Sequence, residues 1–498
     1  MARKDLDQRG TVDLGDVVLR APGLKGSVNV AEGTAAGGVR GARASRGPLA
    51  DAQRANGMTT SRVIEIENPR DTRPAAAGTR GGKKPTPPAM ELTVPAPRPD
   101  EEQVVLSTDE HGIRTWHFGS ESSPATGTRA GRRMRTYDIP RIVAPVAKAS
   151  GTRGAIPGLA KVIEVITFPI ADAAAAGAKF AVGAWDRRTH PHRIRIADGS
   201  TFRDLTDKDW DSLTKGPTLL FIHGTFSTTE GAFGGLPPET MAKLIDRYDG
   251  RVIVFDHPTI ADDPFENARQ FFEIVGDRHL ELDVVCHSRG GLVARSIAEH
   301  PKQVDGATDS VHVNKIIFVG VPNAGTILAD AKHWEELVNR FTTILSLVPG
   351  PGATDVLESV LALVKSIAVR TATRLEGLSC MAPPSPFLKD LNGNVAPADK
   401  TTYVAIVSDY EPTNPGLKAW LNDEIRDKIF DKKPNDMMVR IDSMCGDALA
   451  TRFPIVETAR RAFTPAKGVE HADYFPQADT SEALLAWLKP ASAAAGVR

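Results

Sequence analysis

Cysteine is nearly absent from this chain, with Cys286, Cys380 and Cys445 the three examples in 498 residues. Three thiols so widely spaced exclude a disulfide framework and finger-type zinc spacing. An excess of either charge is also missing. The net charge of −1 provides no global field to gather a polyanion, so nucleic acid is not expected as a partner. Long apolar runs are lacking too. The most apolar stretch, 165–185, is interrupted by Asp172 and Lys179 and is rich in Ala and Gly, which excludes a transmembrane segment there. Met1-Ala2-Arg3-Lys4-Asp5-Leu6-Asp7 has a basic start but no apolar core behind it. A cleaved leader is therefore not expected, the default location is cytoplasmic, and export without a leader is compatible with it. His190-Pro191-His192 has no acidic or thiol partner at ligand spacing and reads as a surface loop, so no metal is expected. No glycine-rich phosphate cradle surrounds Gly234-Gly235, and no cofactor is expected either.

What remains is an ordinary globular composition, 41% hydrophobic and 25% charged, at a length that suggests about two to four structural units. Residues 1–87 are crowded with Gly, Ala, Arg, Thr and Pro without periodicity, and they read as a disordered arm with too little apolar surface to offset chain entropy. Residues 88–145 read as a small β-rich unit. Its β-like runs are Glu91-Leu92-Thr93-Val94, Gln103-Val104-Val105-Leu106-Ser107 and Gly112-Ile113-Arg114-Thr115-Trp116-His117-Phe118, the last two joined by a hairpin at 109–112. A connecting segment, 146–215, is expected to be helical over 156–185, with a break at Pro169 and a strand at 192–196.

From 216 to 490 strand and helix patterns alternate. Apolar runs at 218–222, 251–255, 283–285, 315–319 and 402–407 are mostly continuous, as in strands buried on both faces of a parallel sheet. Helical spacing appears at 238–249, 264–276, 289–300 and 480–489. The expected fold class is α/β, a mostly parallel sheet flanked by helices. An insertion at 327–395 carries two apolar helical faces, Trp334 to Val348 and Val356 to Ile367, split by Pro349-Gly350-Pro351-Gly352. It reads as a helical hairpin packed on the sheet, serving as a cap or lid.

Chemistry concentrates at Cys286-His287-Ser288-Arg289-Gly290-Gly291, between an apolar strand and a helical pattern. A serine on such a tight turn exposes its hydroxyl for attack on a carbonyl, whereas a plain helix cap is the bland alternative. Upstream, Phe221-Ile222-His223-Gly224-Thr225 ends a buried strand in a turn whose Thr225 amide can face a developing oxyanion. The Arg289 amide would be the second donor. Asp436, in Asn435-Asp436-Met437-Met438-Val439, and His471, in Glu470-His471-Ala472-Asp473, supply an acid and a base in loops. Asp409, after the preceding strand, is the alternative acid. His471 would take the Ser288 proton, and Asp436 would fix the imidazole tautomer. His223 and His287 read as structural neighbours of the two turns, and Asp473 as a helix-start acid.

On these residues, and on Val321-Pro322-Asn323-Ala324-Gly325-Thr326, the stretch from about 216 to 490 resembles the α/β-hydrolase superfamily, in particular its bacterial lipase-like and esterase-like members. The resemblance implies an α/β-hydrolase sheet with a cap insertion and cofactor-free cleavage of carboxylic esters. The partner implied is a small-molecule acyl ester, lipid-like in some members. Two residues depart from the family pattern. Cys286 stands where the first small residue of Gly-x-Ser-x-Gly is expected, and Met437 stands where the acid loop commonly has glycine. Two alternatives stay open: an acyltransferase or thioesterase using the same residues, and a non-catalytic interaction protein that retains the scaffold.

Overall fold

The computed structural model describes residues 2–33, 47–71, 89–109, 111–119, 128–129, 132–140, 160–170, 179–199, 201–299, 304, 310–347, 349–370, 375–393, 401–412, 417, 429–449 and 453–488. The N-terminal part holds strands β1 (Ala2–Asp5), β2 (Thr11–Asp13), β3 (Val18–Arg20), β4 (Leu24–Glu32), β5 (Thr59–Asp71), β6 (Ala89–Pro95), β7 (Glu101–Asp109), β8 (Arg114–His117), β9 (Thr128–Arg129), β10 (Arg132–Pro140) and β11 (Ala160–Pro169), with helix α1 (Pro48–Ala55) between β4 and β5. They form a six-stranded sheet, ordered β1-β4-β5-β11-β7-β8, and a five-stranded sheet, ordered β2-β3-β6-β10-β9. Side chains from both, among them Leu19, Leu92 and Ile139 from one and Val28, Ile64, Val105 and Ile163 from the other, share one buried cluster, as in a sheet-on-sheet sandwich.

This corrects two expectations. The arm expected over 1–87 contains β1 to β5 and α1; its stretches 34–46 and 72–87 lie outside the described residues. The helix expected over 156–185 is instead strand β11 followed by helix α2 (Lys179–Thr189). The β-branched run Val162-Ile163-Glu164-Val165-Ile166-Thr167 pairs with β5 on one side and β7 on the other, and this two-sided pairing outweighs the alanine-rich segment that follows. The β-rich unit expected over 88–145 is thus one part of a larger sandwich.

The second part is a mixed α/β layer. Its strands are β12 (Arg193–Asp198), β13 (Thr201–Asp204), β14 (Thr218–Ile222), β15 (Val252–Asp256), β16 (Leu280–His287), β17 (Val311–Val319), β18 (Thr402–Ser408) and β19 (Arg460–Phe463). They lie in the order β13-β12-β15-β14-β16-β17-β18-β19. β14 to β19 run parallel, and β12 and β13 are antiparallel. The layer therefore begins at Arg193, upstream of the expected boundary at 216.

Successive residues of the parallel strands serve opposite faces. Leu220, Ile222, Val284, Cys286 and Phe318 join the cluster that includes Phe271 and Leu292 of helices α3 (Pro264–Val275) and α4 (Gly290–Glu299). Leu219, Phe221, Val285 and Ile317 join Leu244 and Leu484, from the helices Pro238–Arg247 and Ala478–Trp487. Both faces are covered, hence the continuous apolar runs. Between β17 and β18 lies the helical insertion, with α5 (Trp334–Leu347), α6 (Ala353–Ala368) and the short helices Glu376–Ser379 and Pro386–Gly393. No helix among the described residues is long and apolar enough to cross a membrane.

The outer face of the six-stranded sheet packs on this insertion. Val104, Leu106, Trp116, Ile166 and Phe168 belong to the same buried cluster as Val338, Leu357 and Leu361. Trp116 donates its indole N–H to Thr342 Oγ1 at 2.9 Å and its amide to Asn339 Oδ1 at 2.8 Å. Trp116→Phe removes one buried hydrogen bond across this seam. It is expected to lower stability by about 1–2 kcal/mol, read as a lower urea midpoint at unchanged slope.

Candidate active site

β14 and β16 are neighbours in space, while β15, the strand between them in sequence, lies on the far side of β14. The chain thus reverses its winding direction here, which opens a crevice beyond the carboxyl ends of β14 and β16. The Gly224 turn and Ser288 sit at those two ends.

Ser288 stands between the last residue of β16 and the first of α4 with φ of 52°, in the left-handed region that side chains disfavour. That geometry lifts its Oγ off the sheet. Gly290 is required because a Cβ there would meet the Ile222 and His223 carbonyl oxygens at 2.4 and 2.5 Å. Cys286 is fully buried and donates its thiol to the Ile317 carbonyl at 3.4 Å. Burial pushes its pKa well above the ordinary thiol range, so it remains an inert thiol. The Arg289 side chain points away from the crevice and donates to the Gly377 carbonyl, the Asp262 carbonyl and Asn267 Oδ1.

The structure brings Ser288, His471 and Asp436 together. Ser288 Oγ lies 2.9 Å from His471 Nε2, and His471 Nδ1 lies 2.7 Å from Asp436 Oδ2. Asp436 is wholly buried and accepts four hydrogen bonds. Oδ1 takes the Met438 and Val439 amides at 3.0 and 2.8 Å, and Oδ2 takes His471 and the Tyr474 hydroxyl, the latter at 2.9 Å. Burial disfavours the charged form of His471, but the Asp436 carboxylate and its hydrogen bond outweigh that and hold the pKa above the ordinary histidine value. Asp409 is not part of this hydrogen-bonded series; it follows β18 and donates its amide to the Phe463 carbonyl.

Met437 has φ of 79°, the conformation for which glycine is favoured. The loop tolerates a side chain because Met437 is packed in the core, 1% exposed, and Arg340 holds its carbonyl at 2.5 Å.

On the β14 side, Gly224 touches the serine turn so closely that a Cβ would lie 2.7 Å from Ser288 Cβ. His223 braces this turn. Its Nδ1 donates to the Gly224 carbonyl at 3.1 Å, and its Nε2 accepts the His257 amide at 3.2 Å. Burial pushes its pKa down to about 4, so it stays neutral. The next amide, Phe226, is tied to Thr259 Oγ1. The Thr225 and Arg289 amides donate to no other protein group among the described residues, so both remain available to an acceptor in the crevice.

The crevice holds a cavity of about 80 Å³. Thr225, Ser288 and His471 line one wall, and Phe341, Leu345 and Val356 of the insertion line the other. Three residues brace the reacting groups: His287, which reads from sequence as a neighbour of the serine turn, and Tyr474 and Glu470, whose contexts do not reveal their roles. Tyr474 braces Asp436. His287 donates from Nε2 to the His471 carbonyl at 2.9 Å, and burial lowers its pKa to about 3. Glu470 accepts the Ala472 amide at 2.7 Å, and burial raises its pKa to about 7. Tyr474 lies three residues past His471, the one local hint of its placement. His190 is buried against Asp186 at 3.0 Å, not in a surface loop as expected. Asp473 accepts from Gln477 Nε2 at 2.8 Å, one turn ahead of the last helix.

The His471 ring should titrate above the ordinary value of about 6.5 when followed by proton NMR. In Asp436→Asn the carboxylate is lost while burial remains, so the midpoint is expected to fall below that value.

No curated protein sequence matches the chain. Among solved structures it is similar to the mature lipase BlEst2 of Bacillus licheniformis, with 17% identity and a TM-score of 0.33, covering 55% of this chain and 92% of that one. It is also similar to lipase 1 of Pelosinus fermentans, with 13% identity and a TM-score of 0.35 over 53% and 95%. Phospholipase PlaB of Legionella pneumophila has 16% identity and a TM-score of 0.30 over 46% and 45%. A family model matches residues 189–489, a span that takes in the whole eight-stranded sheet, the insertion and the site but not the N-terminal sandwich. The chain belongs to the family described as "Domain of unknown function (DUF7379)".

Proposed function

We propose that the protein is a serine hydrolase of the α/β-hydrolase type that cleaves carboxylic esters through an acyl-enzyme. The observation that carries this reading is the hydrogen-bonded series Ser288–His471–Asp436, with its serine on a left-handed turn and two unengaged amides alongside. His471 Nε2 accepts the Ser288 proton as Oγ attacks the ester carbonyl. Asp436 keeps Nδ1 protonated and stabilises the imidazolium that forms. The Thr225 and Arg289 amides donate to the tetrahedral oxyanion. Collapse expels the alcohol, which takes its proton from Nε2. Water then repeats the sequence on the acyl-enzyme, with His471 again as base. The apolar wall of Phe341, Leu345 and Val356 faces the acyl portion.

Hydrolysis of p-nitrophenyl esters tests the proposal, together with labelling by a fluorophosphonate probe. Ser288→Ala should lose labelling and fall to background turnover, and a Ser288→Ala protein as active as wild type would sink the mechanism. Gly224→Ala forces the Thr225 turn off the serine, and it should reduce kcat by about 10²–10³ while leaving the fold intact by circular dichroism. Because His471 must be neutral to act as base, kcat/KM should fall as pH drops through its raised pKa. The acid limb is therefore expected above about 6.5.

A further inference from the structure

We infer that the helical insertion is a fixed roof, and that the site, on the hydrolase reading above, takes dissolved short-chain esters and not lipid aggregates. A mobile lid keeps its outer face polar and solvated and makes few buried contacts. Helix α5 does the reverse. Asn339, Arg340, Thr342 and Thr343, consecutive but for Phe341, are all buried, and they are engaged on different sides of the helix.

Toward the sandwich, Asn339 and Thr342 accept from Trp116. Thr343 Oγ1 takes the Arg114 amide at 3.1 Å and donates to its carbonyl at 3.0 Å. Toward the acid loop, the Arg340 guanidinium donates to the Met437 carbonyl and lies 4.9 Å from the centre of the Phe430 ring. Toward the oxyanion turn, Phe341 packs edge-on against Phe226 with ring centres 5.1 Å apart.

Helix α6 is held as well. Lys365 donates to the Asn56 carbonyl at 3.0 Å, and Asn56 Nδ2 donates to the Glu358 carbonyl at 3.3 Å. Gly352, which leads into α6, lies so close to Gly231 that a Cβ would come within 2.5 Å of its Cα. Swinging the roof away would strand these buried donors and acceptors and pull Phe341 off the turn that carries Thr225. A second observation agrees. Among the described residues, Val456 is the one strongly exposed large hydrophobic side chain, at 62%, whereas settling on a lipid interface calls for several such side chains side by side. The acyl group must then fit beneath Phe341, Leu345 and Val356 in a cavity of about 80 Å³, room for a handful of carbon-sized groups.

The test uses the full chain with tributyrin taken through its solubility limit and with p-nitrophenyl butyrate against palmitate. The expected result is a rate that saturates with dissolved tributyrin and does not rise when emulsion forms. Butyrate should be preferred over palmitate in kcat/KM by about ten-fold or more. A several-fold jump at the emulsion, or preference for palmitate, would overturn the inference. Hydrogen exchange over 334–347, with and without phosphatidylcholine vesicles, reads the roof without turnover. Slow exchange in both conditions supports a fixed roof, and fast or vesicle-accelerated exchange overturns it. Slow exchange combined with no cleavage of any ester would sink the hydrolase reading while supporting the roof.

Discussion

A carboxylate buried away from the surface governs the arrangement of this site. Asp436 is sealed in the interior, and two backbone amides, an imidazole and a phenol satisfy its oxygens. Each donor comes from a segment with its own constraints. The amides require the tight loop after Asn435, the phenol requires the turn after His471, and the imidazole must also meet Ser288. A buried anion without such donors would neutralise itself or open the fold. The neighbouring loops are therefore shaped around one negative charge, and the serine end inherits its geometry from that packing.

Much of the site was legible from sequence because its parts are local motifs at strand ends. The small residues around Ser288, the His223-Gly224 turn and the order serine, aspartate, histidine each mark a backbone requirement that sequence states directly. Choosing Asp436 over Asp409 rested on the Asn-Asp pattern, and the imidazole lies against Asp436. Met437 weakened that choice because it stands where a left-handed residue is needed. The backbone kept the conformation, and burial of the side chain with Arg340 on its carbonyl supplied what glycine freedom would have.

The sandwich was not legible, for a physical reason. Its central strand β11 pairs with β5 and β7, setting Val162 against Glu65 on one side and Ile163 against Ser107 on the other. Such pairings are decided by partners distant in sequence, so composition over any one window looks like linker. The same limit hid where the α/β layer starts: the strand expected at 192–196 joins it by pairing with the distant β15, Arg193 against Asp256. Continuous apolar runs identified β14 to β18, because cover on both faces leaves no polar alternation to confuse them, whereas the parallel edge strand β19, Arg460–Phe463, carries no such run.

The seam between Trp116 and helix α5 has a consequence for the family span, which starts at 189. Inside that span, Val338, Leu357 and Leu361 lie in one cluster with Val104, Leu106 and Phe168 from upstream. A fragment trimmed to the matched boundary would carry an uncovered oily flank on the two helices that also line the Ser288 cavity. The packing thus ties the outer roof positions of this chain to that upstream module.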